Sequence, residues 1–153
     1  MPRCSRFGIS KAGEPVQKPF QIQTCREQHV ILRDLVARVR AQLNADDRPG
    51  ARATLARMDT VLRRHLKLED ETLYPALMEI PELAAKARGY QHEMSGLAAA
   101  WTEFFERWPE PQIDAKAAVF QGEWNQVAKA LERRMEAEDR DLYEDADRAL
   151  RRR

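Results

Sequence analysis

The stretch RRHLKLEDETLYP, residues 63–75, returns in altered form as LERRMEAEDRDLYED, residues 131–145. When Glu69 is aligned on Glu138, a Leu-Tyr pair coincides in the two copies. Residues spaced by three or four lie on one face of an α-helix, and the apolar residues around both copies keep that spacing. The duplication therefore predicts two helices that each direct a glutamate to the core.

The copies differ four residues before the glutamate, where the first has His65 and the second has Arg134. An imidazole and a carboxylate at this spacing share one helix face. A guanidinium keeps its proton and donates hydrogen bonds instead. We therefore expect Arg134 to donate paired hydrogen bonds to Glu69, Glu138 or both, with a turn towards solvent as the alternative.

Turn-forming stretches divide the rest of the chain into helical segments. The stretches NADDRPG at 44–50, EIPE at 79–82 and WPEPQI at 108–113 are rich in Pro, Gly and Asp, and no alternating strand pattern lies between them. The predicted helices are A at about 20–44, B at about 51–79, C at about 82–107 and D at about 115–150. Short connections favour an all-α, up-down-up-down antiparallel four-helix bundle over residues 19–153, preceded by an irregular arm at residues 1–18.

Composition excludes several classes of partner. The 26 Lys and Arg residues nearly balance the 25 Asp and Glu residues, so charge gives no case for nucleic acid or an anionic membrane. The first twenty residues contain no continuous apolar run, so we expect neither a signal peptide nor a membrane span, and a cytoplasmic location. Cys4 and Cys25 are expected to be free thiols.

The inner faces of the helices carry the candidate ligands. On helix A the apolar stripe includes His29, and on helix B it collects His65, Glu69 and Thr72. Glu138 lies on the inner face of helix D. An unpartnered buried carboxylate costs several kcal/mol, so these groups need a cation or a hydrogen-bond partner.

Imidazoles and carboxylates that converge between bundle helices are typical of a metal site. Such a mixed set suits iron or manganese, with zinc possible. Two simpler interpretations stay open: His29 as a hydrogen-bonded core histidine, and Glu69 paired with Arg134 in a structural ion pair.

The order of these residues resembles the hemerythrin-like HHE cation-binding family. The resemblance rests on His29, on HLKLE leading into LYP at 65–75, on His92, and on Glu138 leading into LY, and it covers about residues 24–145. It implies a four-helix bundle with a non-haem di-iron centre that binds oxygen, senses iron or oxygen, or acts in stress responses. It also implies three histidine ligands and two bridging glutamates: His29, His65, His92, Glu69 and Glu138. Arg134 departs from the family, which has a histidine there.

His92 is the ambiguous member of this set. It shares a helix face with small residues, whereas Tyr90, Trp101, Phe104 and Trp108 lie on roughly the opposite face. We expect His92 to point inward, and the aromatic face to be covered by the N-terminal arm or by a second subunit in a homodimer. In the alternative the aromatic face is the core and His92 is exposed.

The function expected from these features is metal binding, with one or two non-haem irons used for handling or sensing oxygen or iron. Arg134 would substitute for the second metal, so that at most one ion binds tightly. The alternative is a metal-free helical bundle that acts as a regulatory or protein-interaction module. An enzyme with oxidase or peroxide chemistry is a third interpretation, but the sequence contains no nucleophile paired with a base and no phosphate loop.

Overall fold

The chain folds into helices that alternate with short connections. The computed structural model describes residues 17–152, with side chains for residues 22–152. The arm expected at residues 1–18 therefore lies almost wholly outside the described residues, as does Cys4. The helical elements are α1 Gln17–Asn44, α2 Arg48–Leu68, π1 Glu69–Leu73, α3 Tyr74–Met78, α4 Pro81–Arg107, α5 Glu110–Ala115, α6 Ala117–Ala137, π2 Glu138–Leu142 and α7 Tyr143–Arg151.

Residues 17–152 contain no strand, so the predicted all-α class is confirmed. The short α5 was not expected, because its prolines suggested an irregular loop. Within the described part of the chain, no helix is both long and apolar enough to cross a membrane.

The two copies of the repeated stretch each form a π-helical turn. In both, the turn begins at the glutamate and ends at the leucine of the Leu-Tyr pair. The backbone N–H of Tyr74 donates to the carbonyl of Glu69, and that of Tyr143 donates to Glu138, five residues back in each case. Regular α2 therefore ends before Pro75, as the proline predicted, and the π turn makes the break.

The wider π turn moves the inner face by one residue. Thr72, which a regular helix would have placed in the core, is only partly buried and donates its hydroxyl to the carbonyl of Leu68. Leu73 and Tyr74 are buried instead. The expectation that Thr72 belongs to the inner stripe is wrong, because that stripe assumed an unbroken α-helical period.

The apolar core consists of two clusters with a polar layer between them. The first contains the aromatic half of α4 together with residues from Leu32 to Leu62 and from Ile113 to Met135. The second contains Ile22, Cys25, the Leu-Tyr pairs of both copies and the first half of α4. On α1 this polar layer lies between Cys25 and Leu32, and His29 belongs to it.

The aromatic face of α4 packs inside the molecule. Phe104 contacts Phe120 at 5.9 Å and Trp124 at 6.3 Å between ring centroids, and Trp108 contacts Phe120 at 5.4 Å. Trp101, Phe104 and Trp108 are each 1–3% exposed. The expectation that an arm or a second subunit covers this face is wrong, because α6 covers it.

Candidate metal centre

Four polar side chains from four elements meet in the layer between the two apolar clusters. His29 comes from α1, His65 from α2, Glu69 from π1 and Glu138 from π2. Each is at most 1% exposed. Both glutamates are the first residues of their π turns, so the repeated sequence positions them in the same local geometry. Polar groups this deeply buried need partners, which makes their arrangement informative.

The inner atoms of the four side chains converge on one small volume. Nε2 of His29 lies 3.1 Å from Nε2 of His65 and 3.3 Å from Oε1 of Glu138. Nε2 of His65 lies 2.8 Å from Oε1 of Glu69 and 3.8 Å from Oε1 of Glu138. Single ligand atoms of His29, His65 and Glu138 all lie within 4.8 Å of one another. At these spacings the three groups could share one cation.

The outer nitrogens of both imidazoles are held by oxygen acceptors. Nδ1–H of His29 donates to Oδ1 of Asp139 at 2.9 Å, and Nδ1–H of His65 donates to Oε1 of Gln28 at 2.8 Å. Arg33 binds the second oxygen of Asp139 at 2.7 Å, which keeps that carboxylate ionised and oriented. A proton held on Nδ1 leaves the lone pair on Nε2, the tautomer that binds a metal.

Two tyrosines hold the outer oxygens of the glutamates. Tyr143 donates its hydroxyl to Oε2 of Glu69 at 2.9 Å, and Tyr74 donates to Oε2 of Glu138 at 3.3 Å. Each tyrosine thus serves the glutamate of the other copy, so the arrangement is reciprocal. Tyr143 also stacks on His29, with 5.3 Å between the ring centroids.

The close approach of these groups shifts their proton affinities. Burial, and after it the charge of Glu138, raise the pKa of Glu69 to about 8. Burial alone would lower the pKa of His65, but Glu69 and Glu138 outweigh it and raise that pKa to about 10. Burial likewise opposes ionisation of Glu138, but its close contacts with Glu69, His29 and His65 outweigh burial and lower its pKa. The cluster therefore retains positive charge on an imidazole when no other cation is present.

The unpaired atoms of the cluster fit a metal ion. Oε1 of Glu69 and Oε1 of Glu138 are buried, and no hydrogen bond of adequate geometry reaches either from the described residues. Both face the Nε2 atoms of the histidines, and Nε2 of His65 becomes a lone-pair donor once a metal ion replaces its proton. Two carboxylate oxygens and two imidazole nitrogens are the donor set that iron, manganese and zinc accept.

The structure does not bring His92 to this cluster. His92 is exposed, because the aromatic face of α4 supplies the core and His92 projects from the opposite side. The expected inward orientation of His92 is wrong. The alternative interpretation of helix C, an aromatic core with an exposed histidine, matches the structure.

Arg134 lies near the cluster but turns away from its carboxylates. Among residues 22–152, its ion pair is with Glu93 on α4 rather than with Glu69 or Glu138. Its guanidinium lies over the ring of Tyr90, 4.4 Å from the centroid. The expectation that Arg134 donates hydrogen bonds to the two glutamates is wrong. The ring of Tyr90 and the carboxylate of Glu93, both on α4, bind its guanidinium instead.

Several residues of the site were not expected from the sequence. Gln28 and Asp139 hold the histidines, and both π turns aim the glutamates. The repeat contains signals of the turns, because ED and LY occur at the same positions in both copies. It does not identify Asp139, since Asp70 follows Glu69 in the same way and is exposed.

Comparison with known proteins agrees with this geometry. A family model described as the hemerythrin HHE cation-binding domain matches residues 21–146. No curated protein and no solved structure matches the chain. The matched region contains all four members of the buried cluster.

Proposed function

We propose that this chain, which belongs to the hemerythrin HHE cation-binding domain family, binds non-haem iron and uses it to handle or sense oxygen or iron. Its ligands would be His29, His65, Glu69 and Glu138. The observation that carries the proposal is the convergence of two histidine Nε2 atoms and two unpaired carboxylate oxygens in a buried layer.

Iron is the ion we propose, with manganese or zinc as the other ions that suit the same donors. Mixed imidazole and carboxylate ligands favour ions of intermediate hardness. Bound iron supplies redox chemistry towards dioxygen. The chain itself orients the two imidazoles through Asp139 and Gln28, and holds the carboxylates through Tyr143 and Tyr74.

We also propose that the long helices are arranged up-down-up-down. Side-chain contacts support antiparallel neighbours: Arg40 of α1 pairs with Glu132, whereas Arg26, earlier in α1, pairs with Glu144 at 3.1 Å. Trp101 of α4 donates to Asp59 of α2 at 2.9 Å. Antiparallel pairing brings the middles of successive helices to one level, where the ligands lie.

The second candidate function is a metal-free bundle that acts as a regulatory or interaction module. This alternative relied on Arg134 to neutralise the buried glutamates. Because Arg134 binds Glu93, that neutralisation would fall to a proton on His65. The pairing of Arg134 therefore favours the metal-binding function.

Metal analysis of protein expressed with ample iron and purified without chelator tests the proposal. We expect bound iron, and an absorption spectrum that changes when the reduced protein meets dioxygen. Protein that contains no metal and gains none on anaerobic addition of ferrous iron would overturn the proposal in favour of the interaction module. Bound iron with no response to dioxygen would restrict the function to iron handling. The expected cytoplasmic location stays a prediction, which fractionation of cells would test.

A further inference from the structure

We propose that the site holds a single metal ion, because both glutamates are turned towards one centre and Arg134 with Tyr90 occupies the place of a second. This inference rests on the proposed metal binding and adds its stoichiometry. Three independent features support it: the orientation of the carboxylates, the contacts of the residue that replaces a histidine, and the balance of buried charge.

The carboxylates are oriented for one ion rather than for a bridge between two. A bridging carboxylate presents one oxygen to each ion. Here Oε1 of Glu69 faces His65 at 2.8 Å, while Oε2 accepts the hydroxyl of Tyr143 at 2.9 Å. Glu138 repeats the pattern, with Oε1 facing His29 at 3.3 Å and Oε2 accepting the hydroxyl of Tyr74 at 3.3 Å. The oxygens that would reach a second ion are engaged.

The position that would supply a histidine to a second ion is filled by Arg134. In the first copy, His65 precedes Glu69 by four residues and contacts it. In the second copy, Arg134 precedes Glu138 by four residues but lies over Tyr90 and pairs with Glu93. Its side chain is only 18% exposed, so the guanidinium occupies space within the bundle.

Contacts between α4 and the second copy keep Tyr90 in place beneath Arg134. The hydroxyl of Tyr90 donates to Oδ2 of Asp141 at 2.9 Å and lies 3.2 Å from the carbonyl of Ala137. Lys86, one turn earlier on α4, binds Asp141 at 2.6 Å. His92 is exposed on the other side of α4. The groups that α4 places beside Arg134 are therefore the phenol of Tyr90 and the carboxylate of Glu93, not an imidazole.

Charge balance points to the same stoichiometry. One divalent ion matches the two negative charges of the buried Glu69 and Glu138. A second divalent ion would stand beside the guanidinium of Arg134, which already takes the carboxylate of Glu93, and among residues 22–152 the buried layer contains no further carboxylate to compensate it. Uncompensated buried charge is strongly unfavourable.

Anaerobic titration of the full chain with ferrous iron tests the inference, with elemental analysis of the washed protein and electron paramagnetic resonance after oxidation. We expect one iron per chain and a high-spin ferric signal whose integrated intensity matches the bound iron. Two irons per chain, with a ferric form that gives no signal because the ions are coupled, would overturn the single-ion inference while leaving metal binding intact. A chain that binds no iron would overturn both.

Two double variants test whether Arg134 and Tyr74 prevent a second metal ion from binding. The double variant Arg134→His with Tyr74→Phe restores an imidazole and frees Oε2 of Glu138, so we expect it to bind a second iron at excess metal. Arg134→Lys with Tyr74→Phe is the matched control, because it keeps the positive charge, and it should stay at one. A histidine variant that folds by circular dichroism and still binds one iron would show that Arg134 and Tyr74 do not close the position.

Discussion

Tyr143 donates its hydroxyl to Oε2 of Glu69 at 2.9 Å, although the two residues are 74 positions apart and belong to different copies of the repeated stretch. Tyr74 makes the equivalent bond to Glu138. Each copy of the repeated stretch therefore orients its own glutamate through its π turn and supports the glutamate of the other copy through its tyrosine.

Replacing Tyr143 by Phe should destabilise the metal-free protein more than replacing Tyr90 by Phe. Tyr143→Phe leaves Oε2 of a fully buried Glu69 without its donor, and an unsatisfied buried acceptor costs roughly 1–3 kcal/mol. The Tyr90 hydroxyl bonds to an exposed carboxylate, which water can solvate. Urea unfolding followed by circular dichroism measures both. Equal losses of unfolding free energy would contradict the importance of the hydrogen bond between Tyr143 and Glu69.

Asp139→Asn should weaken metal binding without removing a ligand. Asp139 accepts the Nδ1 proton of His29 at 2.9 Å and a hydrogen bond from Arg33 at 2.7 Å, whereas an asparagine has one acceptor oxygen for these two donors. Disruption of such an outer acceptor typically lowers metal affinity by about 10- to 100-fold. Competition with a chromophoric chelator measures the affinity.

Asp70→Asn is the matched control for this variant. Asp70 follows Glu69 as Asp139 follows Glu138, but its side chain is exposed. The control should keep the affinity of the unmodified protein. Equal losses in the two variants would mean that general charge, rather than the orientation of His29, explains the effect.

The helical class and four of the buried polar residues could be predicted because they depend on local periodicity. His29, His65, Glu69 and Glu138 recur with apolar residues at helical spacing, and a buried stripe is the usual consequence. Helix C resisted prediction for a physical reason. It carries an aromatic face and a face of small residues, and the choice between them depends on how α6 packs against it, which no local pattern records.

The orientation of the proposed ligands could not be predicted, because it depends on contacts between distant segments. The π turns change the inner face after Glu69 and Glu138, and the Leu-Tyr pairs at their ends are buried in a cluster that joins distant segments. Arg134 was expected to reach the glutamates, which lie one turn away. It binds Glu93 instead, since the crossing of α4 brings that carboxylate and Tyr90 within reach.

His65→Ala should abolish tight metal binding, whereas His92→Ala should leave it unchanged. His65 supplies an inner nitrogen 2.8 Å from Glu69 and 3.1 Å from His29, while His92 is exposed on α4. Both variants remove one imidazole, so the comparison isolates position. Iron per folded chain, measured after gel filtration, is the readout. Retention of iron by His65→Ala, or its loss in His92→Ala, would contradict the ligand assignment.

The stability of the metal-free protein should fall as pH rises from about 5 to about 10. The folded-state pKa of His65 is raised to about 10, so its contribution is fully present below its unfolded pKa of about 6.5 and is lost as pH rises through 10. The pKa of Glu69 is also raised, to about 8, so stability is lost between about 4.5 and 8 as this buried carboxyl ionises. The lowered pKa of Glu138 acts below this window.

The metal-bound protein should lose less stability over the same interval. A metal ion at the centre of the cluster would neutralise the carboxylates in place of the proton on His65, so binding at neutral pH should release protons. Thermal midpoints between pH 5 and pH 10, recorded with chelator and with one equivalent of iron, measure the difference. A metal-free protein whose midpoint rises with pH would contradict the raised pKa values of His65 and Glu69. Midpoints that fall equally with and without iron would show that the ion does not neutralise these groups.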